Sequence, residues 1–291
     1  MKIGLVVDST CDLNPGMLAR YKMEMVPLSI HFGDLVYLDR LELAGEEFFK
    51  KMEGTEQLPT TSQPSIGLFF KKYQEMAQEY DVILSIHLSA KLSGTYEAAQ
   101  MAAAKLADIE IKVIDSRSAS FGAGYLAILA AELIEAGKSI TEIVSRIEEV
   151  REQIKVYFTV NDLTYLQKGG RIGKAQAFLG SILNVYPILT IHGSDGEILP
   201  LEKIRGKKKI LQRMEELILN EIAGAEQVRL GFVHGLEIDK IEELKANITG
   251  KLTTKGIAFQ TDLNWISAVL GSHVGPSIYG SVVIKGDFLK L

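Results

Sequence analysis

A single cysteine, Cys11, in 291 residues excludes an intrachain disulfide and any CxxC metal site, and fits a reducing compartment, by default the cytoplasm. No apolar run approaches the roughly 18 to 20 residues of a membrane span, so no stable membrane insertion is expected. The N-terminal MKIGLVVDST turns polar at Asp8 and Ser9 and lacks the longer apolar core and cleavage site of a signal peptide. Lys and Arg are not in surplus: the formal net charge is -5, which argues against a nucleic-acid binder. There is no HExxH and no dense His and carboxylate cluster to suggest a metal. A GxSxG elbow and an SxxK pair are missing too. Gly169, Gly173 and Lys174 fall one residue short of a P-loop, with Ala175 where Ser or Thr would hold magnesium. Gly122, Gly124 and Ala127 share the outline of a dinucleotide fingerprint, but they lie inside helical pattern, where close helix packing is the simpler reading.

What is present is enough apolar residue, 47%, for a sizeable core, in a chain whose length suits two domains. The first half alternates strand and helix patterns: strand 2–7, helix 15–21, strand 25–32, helix 44–52, helix 65–80, strand 82–88, a helix from Thr95, strand 111–114, and helices 120–136 and 141–153. That alternation predicts a mostly parallel sheet covered by helices, with ligands at the carboxyl ends of the strands. Past a boundary placed between Arg151 and Lys155 the pattern changes. Strands are expected at 156–160, 188–192, 197–204, 228–234, 258–265 and 278–285, with a helical turn at 163–167 and a long helix from Lys207 to Ile222. Gly193, Ser194, Asp195 and Gly196 offer hairpin chemistry between two of the strands. The expected organisation is an α/β domain over 1–154 and an α+β domain over 155–291.

Four stretches carry candidate binding chemistry. In DVILSIHLSAKLSGTYEAAQ, residues 81–100, a buried strand breaks into a hydroxyl-rich loop and a helix start, where unpaired backbone N–H groups and the helix dipole welcome a carboxylate or phosphate. Ser93 can add a hydroxyl there, while the plain explanation is that Ser93 or Thr95 caps its own helix. In LPTTSQPS, residues 58–65, two prolines stiffen a polar loop in which Ser62 or Gln63 suits a helix cap, whereas Thr61 is not needed as one. In LGSHVGPSIYG, residues 270–280, His273 stands among loop formers, unlike His31, His87, His192 and His234, which fall in or at the ends of strands and read as ordinary packing or surface residues. Finally, Lys203, Arg205, Lys207, Lys208 and Lys209 form a basic run. Solvated surface is the plain explanation, but Lys207–Lys209 sit at a helix start, where the dipole disfavours cations, so a binding use is indicated, with Arg171 facing the same partner.

Taken together, DST at 8–10, TSQPS at 61–65, LSGTY at 92–96, ID at 114–115, YLQKGGRI at 165–172, KIRGKKK at 203–209 and SHVGP at 272–276 resemble the DegV family over essentially the whole chain. DegV proteins in turn resemble the bacterial FakB subunits, which hold one fatty acid in a tunnel and present its carboxylate to a separate ATP-dependent fatty acid kinase. The resemblance implies a non-enzymatic lipid carrier with no cofactor beyond the bound long-chain fatty acid, whose tail lies in a tunnel between the two domains. It further implies that Thr61, Ser93 and His273 hold the carboxylate, with help from the Gly94 amide and secondarily Ser62, and that Arg171 and Arg205 face the kinase or the acyl phosphate. One departure stands out: the family commonly reads HxGPG with a small residue next, whereas Ser277 and Ile278 follow Pro276 here, which predicts a narrower or differently bent tunnel. The alternative from another class is a small-molecule hydrolase or transferase using Ser93 as nucleophile and His273 as base.

Overall fold

The computed structural model describes residues 1–55, 57–161, 163–179, 184–192 and 194–286; Gly193 of the expected hairpin turn lies outside the described residues. β1 (Ile3–Asp8) is buried along its whole length, as a central strand covered on both faces must be. The Asp8 carboxylate accepts the Thr10 N–H at a short turn over Ser9–Cys11, and Asn14 caps α1 (Pro15–Arg20). The single strand expected at 25–32 is two, β2 (Met23–Val26) and β3 (Ser29–Phe32), which join different sheets. Pro27 lies between them and has no N–H to continue a ladder. β4 (Leu35–Leu38) folds back on β3, and α2 (Gly45–Glu53) follows. The segment read as loop at 54–64 contains β5 (Thr60–Ser62), which pairs with β3 and places Thr61 opposite Ile30.

Then come α3 (Ile66–Met76), β6 (Val82–His87), α4 (Thr95–Ala103), β7 (Glu110–Asp115), α5 (Phe121–Glu135) and α6 (Ile140–Arg151). The order β2-β1-β6-β7 is parallel throughout, the sheet that the alternation predicts. The second half supplies β8 (Lys155–Thr159), α7 (Thr164–Lys168), β9 (Val185–His192), β10 (Ile198–Arg205), α8 (Lys208–Glu221), β11 (Gln227–His234), α9 (Ile238–Lys255), β12 (Ala258–Trp265), α10 (Ala268–Val274) and β13 (Tyr279–Lys285). Its six-stranded sheet runs β10-β9-β8-β13-β11-β12 and is antiparallel except for the β11–β12 pair. In this half two elements are not anticipated by the sequence pattern. One is α9, although Ile241, Leu244, Ile248 and Leu252 lie buried at helical spacing. α10 occupies the stretch read as loop around His273.

Strand alternation sorts the side chains into layers. Phe69, Tyr73, Ile83 and Ala99 fill one face of the parallel sheet against α3 and α4. Tyr279 and Val283 of β13 point into a core with α8 and α9. Between these lies the main core, shared by the other face of the parallel sheet, α2, α5 and α10, and by Val282 and Ile284 of β13. In α5, a Cβ on Gly124 would stand 2.5 Å from the Cys11 carbonyl oxygen, so this glycine serves close helix packing, not a nucleotide.

Candidate functional site

Within the main core a cavity of about 350 Å³ opens between the two large sheets. Val156, Phe158, Ile191, Ile198, Val233 and Val282 of the six-stranded sheet form one wall, and Val269 and Val274 of α10 with Leu28 and Leu88 form the other. All of these are buried. The lining residues that reach solvent are Thr61, Ser62, Gln63, Leu92, Ser93, Arg171, Leu270 and His273, which form a largely polar mouth; the rest of the described lining is buried and mostly apolar, with the Ser120 and Ser281 hydroxyls as polar exceptions. Ile278, from the sequence departure, is part of the lining, and the Ser277 hydroxyl accepts the Asn161 N–H at 2.9 Å.

At the mouth, Thr61 Oγ1 and His273 Nε2 are 2.8 Å apart although 212 residues separate them in sequence. Pleating turns the adjacent Ser62 hydroxyl the other way, to His31 Nε2 at 2.9 Å. Neither Ser62 nor Gln63 caps α3: Ser65 does, accepting the Leu68 N–H at 3.1 Å, and this corrects the cap assigned from sequence. Across the mouth, Gly94 is the N-cap residue of α4. The Ser93 hydroxyl stands 2.9 Å from Thr95 Oγ1 and 3.3 Å from the Thr95 N–H, so it sits at the helix start without capping it in the usual way. Gln63 packs directly on Gly94, where a Cβ would lie 2.2 Å from its Oε1. Gln63 is therefore a mouth residue that the sequence offered only as a cap.

His273 sits in the last turn of α10, not in a loop. Burial, followed by the nearby Arg171 charge, pushes its imidazole down to about 4, so the ring is neutral at pH 7. Nδ1 has no hydrogen-bond partner among the described residues. Arg171 is held at the rim by its Nε bond to the Leu92 carbonyl at 3.1 Å and its Nη1 bond to the Gly169 carbonyl at 2.8 Å. Arg205 is exposed at the end of β10 and is not part of the cavity wall. In the same basic run, Lys207 pairs with Glu237 at 3.5 Å.

Gly169 supports this arrangement by its size. A Cβ there would lie 2.4 Å from His273 Nδ1. The backbone of Gly169 is ordinary right-handed helix, φ -75°, so alanine costs nothing in conformation. The same Cβ would stand 3.1 Å from the Tyr165 carbonyl oxygen, so Gly169→Ala is expected to lower the melting temperature by several degrees while displacing the imidazole. In an NMR titration His273 should then ionise above pH 4, toward the ordinary value of 6.5. An unmoved titration would show that the contact is relieved without moving the ring.

His87, read from sequence as ordinary packing, belongs to a fully buried relay. Tyr73 OH and Ser85 Oγ are 2.7 Å apart, Ser85 Oγ and His87 Nε2 2.7 Å, and His87 Nδ1 and Asp8 Oδ2 3.1 Å. Burial alone would raise the Asp8 carboxyl. The His87 contact, with bonds from Thr10 and Leu88, outweighs it and holds the group below the usual carboxylate range. The order of contacts is that of a Ser-His-Asp triad, but Ser85 and His87 are 0% exposed and are not part of the lining of the cavity described above, so the relay pins the end of β6 to β1. Ser93 and His273 share the mouth but bond to Thr95 and Thr61, not to each other, so the nucleophile–base pair of the enzyme alternative is not assembled. Among the described residues there is no group of three or more His, Cys, Asp or Glu able to hold a metal ion, and no helix is long and apolar enough to cross a membrane.

Fold and site together define a protein of mixed α/β fold with two large sheets and one small one, a mostly apolar internal cavity and a mouth of hydroxyls and imidazole with Arg171 at its rim. The chain belongs to the DegV family: the family profile, described as "Uncharacterised protein, DegV family", matches residues 2–286. It is 36% identical to Protein DegV of Bacillus subtilis over 281 residues, covering 96% of this chain and 98% of that one. A DegV family protein from Thermus thermophilus, whose structure is described in terms of fatty acid binding, superposes with a TM-score of 0.91 at 34% identity, over 98% of this chain and 100% of the other. The structure of DegV from Bacillus subtilis, described as a fatty acid binding protein, superposes with a TM-score of 0.88 at 34% identity over the same shares.

Proposed function

We propose that this protein is a cytoplasmic carrier that binds one long-chain fatty acid in the cavity and presents its carboxylate at the mouth to a separate fatty acid kinase. The observation that carries the reading is the polar mouth of Thr61, Ser93 and His273 on a buried cavity lined mostly by apolar side chains. The tail needs no specific partner, since each buried CH₂ contributes about 0.8 kcal/mol. The head group does: a carboxylate leaving water must regain hydrogen bonds. The Thr61 and Ser93 hydroxyls and a neutral His273 ring supply these donors, with the Gly94 amide at the start of α4 behind them and Ser62 as a secondary contact. A fixed positive charge at the rim, Arg171, suits an acyl phosphate or the kinase surface, and the exposed Arg205 at the end of β10 is a second cation for the kinase. The tail then lies between a unit of residues 1–154 and one of residues 155–291. Fatty acid binding by the two similar DegV structures supports the ligand class.

The deciding experiment is mass spectrometry of the organic extract of natively purified protein. A stoichiometric long-chain fatty acid is expected, and its identity gives the preferred chain. An empty protein that also refuses added hexadecanoate would overturn the reading.

A further inference from the structure

Four distant stretches of chain meet in one buried polar cluster beside the cavity. Arg40 donates from Nε to the Ser9 carbonyl at 2.8 Å, and from Nη2 to the Asp12 carboxylate and to the Trp265 carbonyl, the latter at 3.2 Å. Asp12 Oδ1 also accepts the Ser267 N–H at 2.8 Å, and Asp39 Oδ1 accepts the Ala268 N–H at 3.0 Å. Ser9 donates to the second oxygen of Asp39 at 2.7 Å, and Ser120 to the second oxygen of Asp12. Both carboxyl groups are 0% exposed. Two acids thus take the N–H groups of the N-cap residue Ser267 and of Ala268, the first residue of α10, which no intrahelical carbonyl can serve.

The cluster is costly to keep. Asp12, Arg40 and Ser120 have φ of 56°, 65° and 56°, a left-handed backbone that non-glycine residues hold only where their surroundings over-determine it. Buried charge clusters of this kind are weak sources of stability, but they can fix register. The register they fix here is that of a seven-residue helix whose far end carries His273 and whose Val269, Leu270 and Val274 wall the cavity. Successive residues of a helix are rotated by about 100°, so a one-residue slip at Ser267 would carry His273 off Thr61.

We propose that Asp12, Asp39 and Arg40 are positioning residues for ligand capture: they clamp the start of α10 and, through that helix, hold His273 Nε2 against the Thr61 hydroxyl at the cavity mouth. This deepens the carrier function proposed above and rests on it.

The test uses the full chain and two readouts, NMR titration of the His273 ring in ligand-free protein and hexadecanoate affinity by displacement of a fluorescent fatty acid. Asp39→Ala is expected to raise the His273 pKa from about 4 toward 6.5 and to weaken hexadecanoate binding about tenfold. Asp39→Asn keeps an oxygen for the Ala268 N–H and should restore both readouts, affinity to within about threefold. Ala268→Pro removes the donated N–H while leaving Asp39 in place, and proline suits the first helical position after the extended backbone of Ser267. It should reproduce Asp39→Ala, and decides the matter if the alanine variant does not fold. Folded Asp39→Ala or Ala268→Pro protein with an unchanged His273 titration overturns the clamp, whether or not affinity falls. Should hexadecanoate fail to bind even the wild type, the carrier function falls, while the ligand-free titration still decides the clamp.

Discussion

Replacing Thr61 and Ser93 together by alanine should weaken hexadecanoate binding by a factor on the order of a hundred or more. Hydrogen bonds to a charged group contribute roughly 1.5–3 kcal/mol each, and two are lost at once. Removing Thr61 also strips His273 Nε2 of its partner at 2.8 Å. The cavity walls are untouched, so the tail contribution stays. Hexadecan-1-ol therefore serves as the control: its affinity should fall by about tenfold or less, because neutral hydrogen bonds are worth about half as much. Isothermal titration or fluorescent displacement with both ligands checks the outcome. Equal losses for acid and alcohol would place the carboxylate somewhere other than this mouth.

The second large effect is on stability against pH. His273 ionises near 6.5 when unfolded and near 4 when folded, because burial and then Arg171 disfavour the charged ring. Between those values the unfolded chain binds more protons than the native one, so stability is full above about pH 6.5 and declines as the pH falls toward 4. The shift corresponds to roughly 3 kcal/mol. Asp39 works in the opposite sense. Burial comes first among the causes and raises its carboxyl to about 7 against the attraction of Arg40, so the native state holds the extra proton and stability declines as the pH rises from about 4 to 7. The two slopes oppose each other over most of one window, so the wild-type curve alone reports neither. Urea unfolding of wild type and His273→Gln between pH 4 and 7.5 separates them: the wild type should lose stability relative to the variant as the pH falls below 6.5. Parallel curves would mean that His273 is not desolvated in the folded protein.

The parallel sheet was legible because β1 is an apolar run ending at Asp8 and β6 is one interrupted only by Ser85 and His87, α8 because its apolar spacing is helical, and α5 because its apolar stretch is too long for a strand. The mouth was legible residue by residue, in hydroxyls and an imidazole set among loop formers. What failed has local causes. β5 is three polar residues whose strand character comes only from pairing with β3. α10 contains Gly271 and is followed by Gly275, which read as loop; its start is stabilised by Asp12 and Asp39, more than 200 residues earlier, and no local window contains them. His87 reads from sequence as an ordinary packing or surface residue of a strand, and no local window names Asp8 as what it meets. Gln63 was visible only as a polar residue before a proline. Its contact with Gly94 joins two loops that the fold alone brings together.

The cavity mouth and its polar end are the same place, while the far walls belong to the main core. A fatty acid held as proposed would therefore thread in tail first, and its carboxylate would be the last part to enter and the first to leave. Its acyl tail would stay among the buried core residues while the head group is met at the rim, with no need to prise the two large sheets apart.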